Sequence, residues 1–346
     1  MSSYLFFIVV VVLICLLFNG QDEKSRKICV ALCGIFLVLV AGLRNSNVGI
    51  DTPRYVAYYL EYGRMSFAEL WSLEKDPGFF VFGKVLYMIY GDNYSLYLLT
   101  IAALFQIPVS KLIYDHSPNL LLSHLLFMAM GFFYFSMTGI RQTVAMAAAC
   151  WGFIFLLKGS WKKAVIAVLI GSIFHRSGII FLLGIFMAGR KVSYKTVLLY
   201  AVVTVLFIME GKSIITTFLD LGAEYIEDER FSTYSLEGAT LRMTGFIQLI
   251  LYFVLAFFLP SSNLLRDKKY MMFINLLVIS IIMQSLAIYI AEFFRVAMYF
   301  SISMVAFIPQ ACCNTKNSKP IIVGLDAFLI FYYLLLYSRM EYALAI

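Results

Sequence analysis

Two arginines and an aspartate share one short run, Arg44-Asn-Ser-Asn-Val-Gly-Ile-Asp51-Thr-Pro-Arg-Tyr55, directly after an apolar segment. Three further polar insertions interrupt apolar sequence in the same way: Thr138-Gly-Ile-Arg141-Gln142, Phe174-His175-Arg176-Ser177 and Glu292-Phe-Phe-Arg295. Ionisable groups beside hydrocarbon are costly to keep there and mark functional sites. A guanidinium binds phosphate oxygens bidentately and stays charged at any working pH, so Arg44, Arg141 and Arg295, drawn from three segments, suit an anion pocket. Each alone could instead snorkel to headgroups or pair with Asp51 or Glu292. His175 carries an imidazole, a side chain suited to act as a general base that deprotonates a hydroxyl, unless it serves as a hydrogen-bonded residue at a helix break. Asp51 precedes Thr52-Pro53 and is either a competing base or the cap of the next helix. Ser177 stands too close to His175 in sequence for the two to work as nucleophile and base. Tyr55, Tyr58, Tyr59 and Tyr62 form an aromatic belt that can also stack on sugar rings. His116 reads as a solvated turn residue and His124 as a packing or hydrogen-bonding residue within a span.

The elements that position these residues follow from composition. With 346 residues, 62% hydrophobic and only 14% charged, the chain has too little polar sequence to cover a soluble globule. It reads as an all-α, polytopic integral membrane protein of about 10–12 transmembrane helices in a single domain. Candidate spans are 4–18, 28–43, 95–114, 119–136, 141–157, 195–210, 244–260, 270–290, 296–312 and 320–337, with a broken one across 162–189 that turns at His175. The first of these lacks a basic leader and a small-residue cleavage site, so it reads as a retained helix. The six cysteines all lie in or at the ends of apolar runs, where neither a disulfide framework nor a thiolate metal site is indicated. The net charge of +7 comes from short basic loops rather than a patch able to hold nucleic acid.

Placing the amino terminus outside puts Lys24/Arg26/Lys27, Lys111, Lys158/Lys162/Lys163, Arg190/Lys191/Lys195, Arg266/Lys268/Lys269 and Lys316/Lys319 in the cytoplasm. The same orientation gathers Arg44, Asp51, Arg141, His175 and Arg295 on the outer face, although none of them was used to choose it. It requires that 77–91 lies in the interface without crossing, and that 211–243 forms an amphipathic lid; loops 44–94 and 211–243 then make a substrate-facing cap. There is no phosphate-cradling Gly-rich loop ending in Lys-Ser or Lys-Thr, no paired-aspartate signature of a metal-dependent nucleotide-sugar transferase and no His-Glu-x-x-His helix. Since nucleotides are cytoplasmic, group transfer on the outer face must draw on a donor that already stores its energy, and a lipid pyrophosphate fits.

Arg44 with Val48-Gly49-x-Asp51-Thr52-x-x-Tyr55, Gly139-x-Arg141-Gln142, Phe174-His175-x-Ser177, and Arg295 with Tyr299 resemble, in this order, the motifs of the EpsG/Wzy-type family of bacterial polysaccharide polymerases. The resemblance spans about residues 40–300. It extends less closely to Asp76-Pro77-Gly78-Phe79 and Arg230-Phe-Ser-Thr-Tyr234, for which it implies substrate-lining roles. It further implies a multi-pass protein of the bacterial cytoplasmic membrane, with a fold similar to lipid-donor (GT-C-like) glycosyltransferases and its site facing the periplasmic or extracytoplasmic side. The implied reaction transfers an undecaprenyl-pyrophosphate-linked glycan to a sugar hydroxyl on a second lipid-linked repeat unit, without metal or other cofactor. Membrane lipids and a chain-length regulator protein are the implied partners, and no nucleic acid is. In this reading Arg44, Arg141, Gln142 and Arg295 bind pyrophosphate or sugar alongside Tyr55, Ser177, Asp76, Arg230, Tyr234 and Tyr299, while His175 or Asp51 activates the acceptor. A ligase moving finished glycan to another acceptor is the nearest alternative. A flippase of lipid-linked sugar is the other, although its charges should follow a path through the bilayer.

Overall fold

The computed structural model describes residues 3–18, 22–73, 76–225, 239–290, 292–338 and 340–344. The chain starts with α1 (Ser3–Leu17) and α2 (Glu23–Gly42), then turns through α3 (Thr52–Tyr62), the short α4 (Phe67–Trp71) and α5 (Pro77–Tyr90). Next come α6 (Tyr94–His116), α7 (Leu120–Ala129), α8 (Phe132–Thr138), α9 (Ile140–Leu157) and α10 (Trp161–Phe174). A 3-10 turn at Arg176–Ile180 leads into α11 (Phe181–Ala188) and α12 (Tyr194–Tyr225). The remaining helices are α13 (Ala239–Phe258), α14 (Lys268–Leu286), α15 (Phe293–Ser301), α16 (Met304–Cys313) and α17 (Ser318–Tyr337). The protein is thus an all-α polytopic membrane protein.

Among the described residues, six helices are long and apolar enough to cross about 30 Å of hydrocarbon: α2, α6, α9, α14, α17 and the Tyr194–Gly211 part of α12. Two bent pairs, α7/α8 at 44° and α15/α16 at 54°, raise that number to eight, and four further apolar helices are shorter. Apolar runs 119–136 and 296–312, each expected as one span, are therefore broken. Gly131, with φ of 81°, ends the first half of one by taking the left-handed conformation that glycine adopts without strain. The break expected at His175 is present, between α10 and the 3-10 turn. A correction concerns 211–243: no separate lid helix starts near 211, because α12 runs on as one helix to Tyr225. Arg230 and Tyr234 lie outside the described residues.

Helix α9 is the axis of the packing and is almost wholly buried. Its small residues permit close approach: a Cβ on Gly171 of α10 would meet Ala148 Cβ at 2.8 Å and Ala145 O at 3.3 Å. Helix starts are fixed by polar caps, with Asp22, Asn93, Asn119 and Asp267 accepting from the backbone N–H three residues on.

The bundle has two chemically different ends. At one, Arg26 donates to the carbonyls of Tyr114 and Ser117, and Gln310 donates to the His116 carbonyl, joining the start of α2, the end of α6 and the end of α16. At the other, Arg44 reaches the Met137 carbonyl and Gln142 the Arg295 carbonyl, joining the end of α2 to α8, α9 and α15. Lys158 and the 162–163 lysines stand at the opposite end of α9 from Arg141. Helix α5 has both ends near the Arg141 end. Asp76 before it meets His175, and Gly91 after it accepts from Tyr59 Oη, whose ring stacks on Tyr97 at the start of α6.

The turn carrying Asp51 is tightly seated. Gly49 has φ of 94°, and a Cβ there would strike the Met137 carbonyl and come within 2.7 Å of Thr52 Oγ1. Gly49→Ala is expected to cost at least about 2 kcal/mol through strain and clash together. Gly159→Ala, at φ of 73° with open space around it, should cost only about 1–2 kcal/mol. Thermal unfolding of the two variants in detergent checks the difference.

Candidate functional site

Asp76 is the hub of the polar end. It sits just before Pro77 in the left-handed region, at φ of 48°, a conformation short polar residues tolerate, and is 5% exposed. Its Oδ2 lies 2.9 Å from His175 Nδ1 and 3.0 Å from an Arg141 terminal nitrogen, and its Oδ1 accepts from the Arg176 backbone N–H at 3.0 Å. Burial alone would raise its pKa. The His175 contact, the Arg176 N–H and the Arg141 charge outweigh that and hold it below the usual carboxylate range. Arg141 also donates through Nε to Tyr55 Oη at 2.7 Å, and its guanidinium lies against the Tyr55 and Phe80 rings.

This geometry assigns the tautomer of His175. A carboxylate only accepts, so Nδ1 carries the hydrogen facing Asp76 and the lone pair of the neutral ring is on Nε2. The His175 side chain remains 27% exposed, so a partly open imidazole is backed by a buried carboxylate. Such an arrangement accepts a proton at one nitrogen while the carboxylate balances the charge formed.

The other sequence-derived residues divide between neighbouring positions. Gln142 donates to the Arg295 carbonyl at 2.6 Å, and Ser177 shares a 3.0 Å hydrogen bond with Tyr299, one turn along α15 from Arg295. Arg295 is exposed and lines a cavity of about 650 Å³ bounded by α8, α13, α15 and α17. Asp51 is on the same wall, along with Thr138, Gln248 and Gln284. Asp51 stands at the N-cap position of α3 but makes no capping bond with its side chain. It is joined to the Asp76 hub through one turn of α3, since Tyr55 N–H bonds the Asp51 carbonyl and Tyr55 Oη bonds Arg141. The tyrosines of α3 largely pack on one another and on neighbours, with Tyr58 stacked on Tyr62 and Tyr55 edge-on to Phe79.

Arg44 separates from Arg141 and Arg295. It is 2% exposed and donates to the carbonyls of Ala41, Val48 at 3.2 Å and Met137 at 3.1 Å, and to Thr52 Oγ1 at 3.2 Å. Burial pulls its guanidinium down to about 10, which still leaves it charged at neutral pH. It acts here as a clamp, tying the end of α2 to the Asp51 turn and the end of α8. Asp76 is the residue that sequence reasoning underrated, having been grouped only loosely with substrate-lining positions. Its available signal was an aspartate directly before a helix-starting proline.

Another cluster lies at the opposite end, where His124 is the buried, hydrogen-bonded residue expected of it. Cys15, Cys29 and Cys33, scattered among apolar runs, converge with His124 in the core.

A sequence model described as the EpsG family matches residues 27–344, nearly the whole chain. No curated protein and no solved structure matches it.

Proposed function

Because the chain belongs to the EpsG family, we propose that it polymerises polysaccharide by glycosyl transfer from a lipid-pyrophosphate-linked glycan at the outer face of the membrane. The observation that carries this is the hydrogen-bonded side-chain run Tyr55, Arg141, Asp76, His175, which starts one turn along α3 from the cavity-lining Asp51. It puts cationic groups, a tautomer-fixed imidazole and an open cavity at one end of the bundle. The opposite end carries the basic loops that face cytoplasm under the positive-inside rule.

In the proposed reaction the bond between the donor's anomeric carbon and the pyrophosphate oxygen breaks. A sugar hydroxyl of the second lipid-linked unit forms the new bond to that carbon, and its proton passes to His175 Nε2. The electron pair leaves with the pyrophosphate. Arg295, exposed in the cavity without a carboxylate within ion-pair distance among the described residues, stabilises the leaving oxygens, and Arg141 holds Asp76 and His175 in register. Guanidinium forks suit pyrophosphate better than ammonium groups.

The deciding experiment incubates purified protein with a lipid-linked repeat unit and resolves products by gel. A ladder of lengths supports polymerisation; a single addition points to a ligase, and unchanged substrate to a transporter. Within that assay Arg295→Lys keeps charge but loses the fork, and transfer should fall about tenfold to a hundredfold at unchanged protein level, the worth of a charge-assisted hydrogen bond. A near-parental ladder from Arg295→Lys would remove Arg295 from pyrophosphate binding.

A further inference from the structure

Away from the transfer site, three thiols and an imidazole meet in the membrane core near the Arg26 end. Cys15 Sγ lies 3.7 Å from Cys29 Sγ and 3.8 Å from Cys33 Sγ, and His124 Nδ1 is 3.8 Å from Cys15 Sγ. One donor atom each from Cys15, Cys33 and His124 falls within 4.8 Å of the others. All four residues are buried, Cys29, Cys33 and His124 completely. They come from three helices: Cys15 from α1, Cys29 and Cys33 one turn apart on one face of α2, and His124 from α7.

We propose that this cluster is a binding site for a soft, tetrahedrally coordinated cation of the zinc class, with Cys15, Cys33 and His124 as ligands and Cys29 beside Cys15. Zinc–thiolate bonds of ~2.3 Å put tetrahedral sulfur atoms about 3.8 Å apart, the spacing found here. Three thiols could equally be small apolar packing residues, but the histidine argues otherwise. Its Nδ1 is 2.7 Å from the Leu120 carbonyl, while Nε2 is fully buried with no partner. A ring nitrogen left orphaned in an apolar core is costly, and a metal-bound imidazole characteristically gives its other N–H to a backbone carbonyl. Thiolate and imidazole donors together select zinc-like or cuprous ions over magnesium and calcium. On binding, each ligating thiol releases its proton to solvent. The role is structural, fastening α1 to α2 and α7 at the end opposite the transfer site.

Full-length protein in detergent, chelator-stripped and titrated with Co²⁺, tests this. The expected result is uptake of one equivalent, with thiolate-to-cobalt absorption in the near ultraviolet and intense tetrahedral bands in the visible, all displaced by Zn²⁺. Cys15→Ser and Cys33→Ser should abolish the bands; Cys150→Ser and Cys312→Ser should keep them. Absent bands in the parent, or equal uptake by the Cys33→Ser variant, overturn the proposal. Parent protein alone gives a second measurement independent of whether variants fold. Zn²⁺ should slow alkylation of the ligands Cys15 and Cys33 on warming by at least about tenfold, resolved by peptide mapping, while leaving Cys150 and Cys312 unchanged. Equal alkylation with and without Zn²⁺ also overturns it.

Discussion

Asp76→Asn is expected to fold yet transfer glycan about 10²–10⁴-fold more slowly than the parent. The asparagine tolerates the left-handed backbone at φ of 48° and can still accept from the Arg176 N–H. Its amide, however, can present a donor to His175 Nδ1. The hydrogen then moves to Nε2, and the nitrogen that should take the acceptor's proton is blocked. Arg141 at the same time loses its buried counter-charge. His175→Gln removes the same base directly, so the double variant should be no slower than the slower single one, as for residues acting as a unit. Donor binding, single-turnover transfer and thermal unfolding are measured separately for each. Asp51→Asn is measured beside them because Asp51 lines the cavity itself. If Asp51→Asn alone stops transfer while Asp76→Asn and His175→Gln run at close to the parent rate, the base is Asp51. If the Asp76 and His175 variants lose only thermal stability, the pair is a brace and not a catalytic unit.

Arg44→Met is the substitution expected to cost the most stability. The apolar chain fills the space but leaves the Ala41 and Val48 carbonyls without the guanidinium donor, and the Met137 carbonyl with the Thr52 hydroxyl alone. At ~1–3 kcal/mol for each buried group left unpaired, a total of about 3–5 kcal/mol follows after relaxation. Membrane yield and unfolding temperature should fall sharply, whereas transfer per folded molecule should stay within a few-fold of the parent. The opposite pattern, normal stability with transfer lost, would return Arg44 to the pyrophosphate pocket.

The all-helical membrane architecture was readable because about 20-residue apolar runs permit little else. The grouping of Arg141, His175 and Arg295 at one end was readable too, since each follows a span of countable length and lysines mark the other end. Which arginine is buried against carbonyls and which faces a cavity was not, because Arg44 and Arg295 look alike in one dimension. The Asp76–His175 bond joins residues 99 apart, and no periodicity encodes it. The spacing of Cys29 and Cys33 placed two thiols on one face, but Cys15 and His124 join them only through the packing of α1 and α7 on α2. Gly131 could have announced the break between α7 and α8; an uninterrupted apolar run concealed it.

The Arg44 clamp is completed by residues far along the chain. Asn45 N–H bonds the Ala343 carbonyl at 2.7 Å, Arg44 and Leu344 form an isolated bridge, and Tyr342 Oη bonds the Val40 carbonyl across 302 positions. During synthesis the ribosome must therefore deliver Tyr342–Leu344 before this corner can close, and loop closure over such a distance is slow. Until then the end of α2 and the turn after it lack their backbone partners from the far end of the chain. Insertion of the earlier helices can proceed before this corner is latched. A nascent chain released short of Tyr342 would then be inserted but unlatched, a preferred target for membrane quality-control proteolysis.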